Sequence, residues 1–147
     1  MASKPNNANT VPAGYHSVTP YLVVDGASRL IEFLKFTFEA ELRDSFTDKE
    51  GKVQHAEVRV GDSVVMLTDA STVGFSPIPS QLYVYVTDVD EVFKRGLKAG
   101  GSTVRDPENK VYGDRTAAIK DPTGNIWWIA THLEEVSHEE TEKRMQA

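Results

Sequence analysis

His55-Ala56-Glu57-Val58-Arg59 and Thr116-Ala117-Ala118-Ile119-Lys120 stand 61 residues apart, and their likeness decides the fold. In the first, Ala56 and Val58, continued by Val60, fall on one side of an extended chain, with His55, Glu57 and Arg59 on the other, the period of a strand with one buried face. Moving outward, Arg43-Asp44 is echoed by Arg105-Asp106 at an offset of 62, and Val24-Asp25 by Thr87-Asp88 at 63. A repeat of this length marks a supersecondary unit used twice.

The elements of the unit follow from patterning. Residues 17–24 are short, apolar and β-branched, with Pro20 suited to an edge or bulge. Ala27, Leu30, Ile31, Leu34 and Phe38 form a helical stripe over 27–38. Strands are expected at 41–46, 53–60 and 63–68, separated by the turn residues Asp48-Lys49-Glu50-Gly51 and Gly61-Asp62. Residues 69–80, including Ser76-Pro77-Ile78-Pro79-Ser80, read as a connector. The second unit opens at 81–87, with Leu82, Val84 and Val86 on one face and Gln81, Tyr83 and Tyr85 on the other. Asp88 and Glu91 form a capping box for a helix carrying Val89, Val92, Phe93 and Leu97 and ending near Gly100. Strands at 103–106, 115–120 and 125–130 follow, and a capped, charged helix at 137–146.

The expected fold class is α+β: two βαβββ modules, at about 15–70 and 80–132, forming a cup-shaped mixed sheet with the helices outside. Residues 1–14 are expected to be a disordered tail, and 15–147 a single domain. One helix per module leaves one sheet face bare, and two bare faces brought together would line a cleft for a small ligand.

Composition narrows the function. Hydrophobic residues at 39% and charged residues at 26% fit a globular chain and set disordered and fibrous classes aside. With 16 Lys and Arg against 22 Asp and Glu, the net charge of −6 disfavours nucleic acid and anionic membranes as partners. The absence of cysteine excludes disulfide scaffolds, thiolate nucleophiles and cysteine-bound metals. No apolar run approaches the roughly 20 residues of a membrane span, and residues 1–10 lack an apolar signal region, so a cytoplasmic location is expected. There is no Gly-rich dinucleotide fingerprint, P-loop, Gly-x-Ser-x-Gly or His-Glu-x-x-His.

Several stretches carry a resemblance: Gln54-His55-Ala56-Glu57-Val58-Arg59-Val60-Gly61-Asp62-Ser63, Tyr112-Gly113-Asp114-Arg115, Asp121-Pro122-Thr123-Gly124-Asn125-Ile126-Trp127, Ala130-Thr131-His132 and Val136-Ser137-His138-Glu139-Glu140. Together, over residues 16 to about 145, the chain resembles the vicinal oxygen chelate superfamily of glyoxalase I, bleomycin-resistance proteins and extradiol dioxygenases, and within it the PhnB-like branch. In metal-dependent members, ligands come from the first and last strands of each module. Carried over by spacing, those positions fall on Val18, Val65 (or Met66 after a one-residue slip), Gln81 and Trp128. Only Gln81 offers a donor, whereas a divalent ion needs at least three, so no metal and no other cofactor are expected.

The candidate residues each keep two readings. His55 beside Glu57 is either a general base or ligand hydrogen-bonder, or a strand histidine within a solvated charge ladder. Arg115 has the fork to hold a carboxylate or phosphate, or clamps a turn with Asp114. Gln81, Tyr83, Tyr85 and Trp128 share the cleft face and suit a flat ligand, although core packing also accounts for Trp128, as it does for Trp127 on the opposite face. Phe75 is a lid or a dimer contact. His16, His132 and His138 read as surface residues, His132 with a secondary ligand role open.

The leading function is a small-molecule binding protein of the glyoxalase or bleomycin-resistance type, with a metal-free cleft and a sequestration or resistance role, working as a homodimer. The alternative is a lyase, isomerase or dioxygenase acting on vicinal oxygens through a metal recruited by His55, Glu57 and Gln81. A third reading is a chain that only associates with a protein partner, its cup filled by side chains.

Overall fold

Alternation along the chain is realised as strands whose order repeats. The computed structural model describes residues 10–147. The first module runs β1 (Tyr21–Val24), α1 (Ala27–Phe38), β2 (Glu41–Thr47), β3 (Val53–Val60) and β4 (Ser63–Asp69); a helical turn α2 (Ala70–Val73) follows. The second runs β5 (Gln81–Tyr85), α3 (Val89–Lys98), β6 (Ser102–Asn109), β7 (Asp114–Lys120) and β8 (Ile126–His132), and α4 (His138–Met145) closes the chain. The sheets have the orders β1-β4-β3-β2 and β5-β8-β7-β6, the same path drawn twice. In each, the first and last strands of the module pair in parallel and the other neighbours antiparallel. The fold is therefore α+β with two βαβββ modules.

Several boundaries differ from the sequence expectation, among them β5, which ends at Tyr85, and β6, which runs from Ser102 to Asn109. β1 begins at Tyr21, after Pro20, whose carbonyl accepts from Met66 N at 2.9 Å but which has no N–H to donate. The connector contains α2, a single turn closed by Gly74 in the left-handed region at φ 75°. β7 and β8 each extend beyond their expected ends, adding the pairs Asp114↔His132 and Arg115↔Thr131. Of the expected tail, residues 1–9 lie outside the described residues, and Tyr15 N donates to Pro12 O at 3.1 Å.

The two modules share one core through their helix-bearing faces. Leu30, Ile31 and Leu34 of α1 join Leu22, Ala56, Val58 and Leu67, while Ala117, Ile119, Trp127 and Ile129 belong to the same buried cluster. Phe38, at the end of the α1 stripe, packs against Trp127 with ring centroids 5.6 Å apart. At the helix–helix contact, Arg95 Nε donates to Thr37 O at 3.0 Å. Gly96 permits the close approach, because a Cβ there would collide with Ile119 and press on Thr37.

A buried carboxylate ties the first module's ends together. Asp69 accepts from Gly26 N at 3.0 Å and Ala27 N at 2.9 Å on one oxygen, and from Val53 N at 2.8 Å on the other. Burial opposes its charge, but those three amides and Lys52 outweigh burial and hold its pKa below the ordinary carboxylate value. In the second module Asp121 receives Trp127 Nε1 at 2.6 Å and Thr123 Oγ1 at 2.7 Å.

Candidate functional site

Register places a line of chemistry across the helix-free face of the second sheet. Tyr83 lies opposite Trp128, which lies opposite Ala118; one step on, Tyr85, Ala130 and Thr116 make the next row, and His132 faces Asp114 beyond it. Ala118, Ala130 and Thr116 are small and buried, so the larger side chains lie over them. Both tyrosines point their hydroxyls at one carboxylate: Tyr83 Oη donates to Asp114 Oδ2 at 2.8 Å and Tyr85 Oη to the same atom at 3.3 Å. The two rings meet edge to face, centroids 5.3 Å apart. The other oxygen, Asp114 Oδ1, lies 2.7 Å from His132 Nδ1, whose Nε2 is 2.9 Å from Glu135 Oε1. Alongside, Trp128 Nε1 donates to Gln81 Oε1 at 2.9 Å.

The electrostatics follow from that wiring. Burial pushes Asp114 up, yet the donors His132, Tyr83 and Tyr85 hold its pKa below the ordinary value, so it is a carboxylate at neutral pH. His132 is raised by its hydrogen bond to Asp114 and then by that to Glu135, which favours the imidazolium donating from both nitrogens. Burial first, then the bond to Asp114 and the neighbouring Tyr112, push Tyr83 well above the tyrosine range. Tyr85 rises for the same reasons, burial ahead of Asp114. Both phenols stay protonated and fixed as donors. Thr116 Oγ1, buried on the same face, has no hydrogen-bond partner.

The sequence candidates divide by face. Gln81, Tyr83, Tyr85 and Trp128 come together, while Trp127 is fully buried on the opposite side. His55 and Glu57 pair with each other at 3.2 Å on the first sheet. No hydrogen bond or ion pair among the described residues joins either to the second-sheet group. Arg115 is placed elsewhere: it alternates away from Asp114 and forks onto Asp90, with Nε to Oδ2 and Nη2 to Oδ1 both at 2.9 Å, and reaches Asn109 Oδ1 at 3.0 Å. The expected Asp114–Arg115 clamp is thus replaced by an Asp90–Arg115 tie to α3, and the expected surface residue His132 is bound into the site. Asp114, read only as half of a turn clamp, and His132, read as a surface residue with a secondary ligand role open, form the pair that sequence reasoning did not put together. Their signal was present at the ends of β7 and β8, where one more antiparallel pair sets the two side by side.

The carried-over metal positions can be tested against the register. Val65 shares the buried face with Val58, and Met66 takes the helix-free face beside Glu57 and Tyr21. Neither Val18 nor Trp128 donates to a metal, a Met66 thioether is a soft ligand, and the Gln81 oxygen is engaged by Trp128. Among the described residues no three His, Asp or Glu are grouped to hold an ion. These side chains do not fit the divalent metal of the catalytic members.

Leu82 and Val84 lie against the core as alternation requires, but they also line a cavity of about 520 Å³ with Val60, Val65 and Trp127 at the seam of the modules. No helix of the described residues is long and apolar enough to cross a membrane.

Comparison with known proteins places this geometry in a family. A Mycobacterium bovis protein, itself uncharacterised, is 31% identical over 143 residues, covering 89% of this chain and 93% of its own length. TioX from Micromonospora sp. ML1 superposes with a TM-score of 0.68 at 25% identity, covering 80% of this chain and 99% of TioX. A PhnB protein from Bacillus cereus, described as a putative 3-demethylubiquinone-9 3-methyltransferase, shares the fold with a TM-score of 0.64 at 19% identity, covering 79% of this chain and 99% of its own. The family model of the Glyoxalase/Bleomycin resistance protein/Dioxygenase superfamily matches residues 14–129, and with the paired modules and the relatives just described the chain belongs to that superfamily.

Proposed function

We propose that this protein binds a small, flat, partly aromatic molecule on the helix-free face of its second module, without a catalytic metal, and that it acts by sequestering that molecule. The carrying observation is that Asp114 fixes Tyr83, Tyr85 and His132 at once. Tyr83 and Tyr85 are 42% and 62% exposed, yet each is tied to a carboxylate that is only 4% exposed. Exposed aromatics held in place lose little freedom when a ligand arrives, which favours binding. Trp128 and Gln81 extend the wall, and His55 with Glu57 supplies a second polar pair on the other module's bare face.

The working form in this reading is a cytoplasmic homodimer. Val18, Tyr21, Phe75 and Ile78 are exposed apolar residues on or near β1 and the connector, surface that a two-fold partner would cover. Isothermal titration calorimetry against a panel of fused-ring aromatics tests the binding reading. A saturable site of one ligand per chain is expected, weakened by about 1–3 kcal/mol in Tyr85→Ala. A panel without a saturable binder, or binding indifferent to Tyr85, overturns it.

A further inference from the structure

Among the aromatic ligands the second-module face would admit, charge is the open variable, and the surrounding groups decide it. Resting on the binding reading above, we infer that the ligand carries a positive charge, as a protonated amine or an N-alkylated heteroaromatic ring, and that this charge sits against Tyr85 and Tyr83 above Asp114.

The first observation is the aromatic arrangement. Tyr83 and Tyr85 meet edge to face, Tyr112 stands next to Tyr83, and Trp128 is its cross-strand neighbour. Ring faces carry the negative part of the aromatic quadrupole, and a cation within about 6 Å of a ring centroid is attracted to it. Here the phenols of Tyr83 and Tyr85 donate to a carboxylate, which pushes electron density back into both rings.

The second observation is the charge balance. Asp114 and Glu135 place two carboxylates on the one imidazole of His132, so the cluster is net negative whether or not that ring is protonated. No Lys or Arg side chain among the described residues makes a hydrogen bond or ion pair with the Asp114 carboxylate or with the hydroxyl of Tyr83 or Tyr85. Arg115 and Arg144 are engaged elsewhere, Arg115 with Asp90 and Arg144 with Glu134 and Glu140. An anionic ligand would meet uncompensated repulsion, whereas a cation completes the balance. The third observation is Thr116, in the same row as Tyr85, whose buried hydroxyl lacks a partner and leaves an unused polar group in the floor of the site.

Three probes of one shape separate the possibilities: N-methylquinolinium, neutral quinoline, and the anion quinoline-2-carboxylate, each titrated calorimetrically into the full chain near neutral to mildly basic pH. N-methylquinolinium is expected to bind roughly tenfold or more tighter than quinoline, on the scale of a partly desolvated cation–π contact, and the carboxylate more weakly than either. Tyr85→Leu should abolish most of the preference for the cation, and Tyr85→Phe, which keeps the ring, should retain most of it. Circular dichroism confirms that both variants fold. Equal affinity for the cation and quinoline, or a preference unchanged in Tyr85→Leu, overturns the charge assignment while leaving the binding site in place. Failure of all three probes to bind overturns the assignment together with the binding reading on which it rests.

Discussion

Replacing Asp114 by Asn keeps the size of the side chain and removes the charge that Tyr83, Tyr85 and His132 all address. Hydrogen bonds to a buried charged group are the strong kind, so Asp114→Asn should cost about 1–3 kcal/mol in urea unfolding. The same cluster makes a signed prediction about pH. Asp114 has its folded pKa below the unfolded one, so its contribution is complete above the ordinary carboxylate range and is lost as pH falls through the folded value. His132 is shifted upward from 6.5, so its contribution is complete below that value and disappears as pH rises through the folded value. Wild type should therefore exceed His132→Asn in stability at about pH 6 by more than it does at about pH 9, by denaturant midpoint. A gap that stays constant would show that the imidazolium is not held as described. These two residues were hard to find from sequence for a simple reason. His132 is one of four histidines, and the Ala130-Thr131-His132 stretch around it marks the family resemblance without giving the ring a role. Its meaning comes only from the last ladder pair of β7 and β8, and strand ends are set by the partner strand, not by local propensity.

At the scale of elements, alternation and helical stripes were legible because a buried face imposes its period on the chain. α1 and β3 occupy the residues expected of them, and Tyr83 and Tyr85 fall opposite Leu82 and Val84. What periodicity does not reveal is how two helices pack against each other. Phe33 and Thr37 are buried on α1 outside the expected stripe, at the contact with the second module. Gly96 is the other half of that contact. Alanine is the better helix former by about 1 kcal/mol, so intrinsic propensity alone would favour Gly96→Ala. The structure gives the opposite sign, since the new methyl would strike Ile119. A net loss of about 1–3 kcal/mol in thermal or denaturant unfolding is expected from overpacking.

For the whole molecule, the internal repeat announced two modules, and the sheets bear this out in identical strand orders. A repeat says nothing of how the copies meet, and here they meet through their helices and Trp127. The bare faces and exposed apolar residues then lead to two measurements. Light scattering at micromolar concentration should give twice the chain mass, with Ile78→Glu shifting the population toward monomer. Elemental analysis after expression with zinc, nickel, manganese and iron supplied should find well under one metal per chain, because the donor set at the family's positions is inadequate. Consecutive indoles in β8 supply a means of watching all this without a label. Trp127 is sealed in the core with its N–H on the Asp121 carboxylate, and Trp128 is partly exposed on the ligand face with its N–H on Gln81. Iodide should silence the emission of Trp128 and spare that of Trp127, splitting the intrinsic fluorescence into two channels. Ligand arrival should perturb only the quenchable channel, and unfolding should perturb both, so one cuvette reports occupancy and integrity independently.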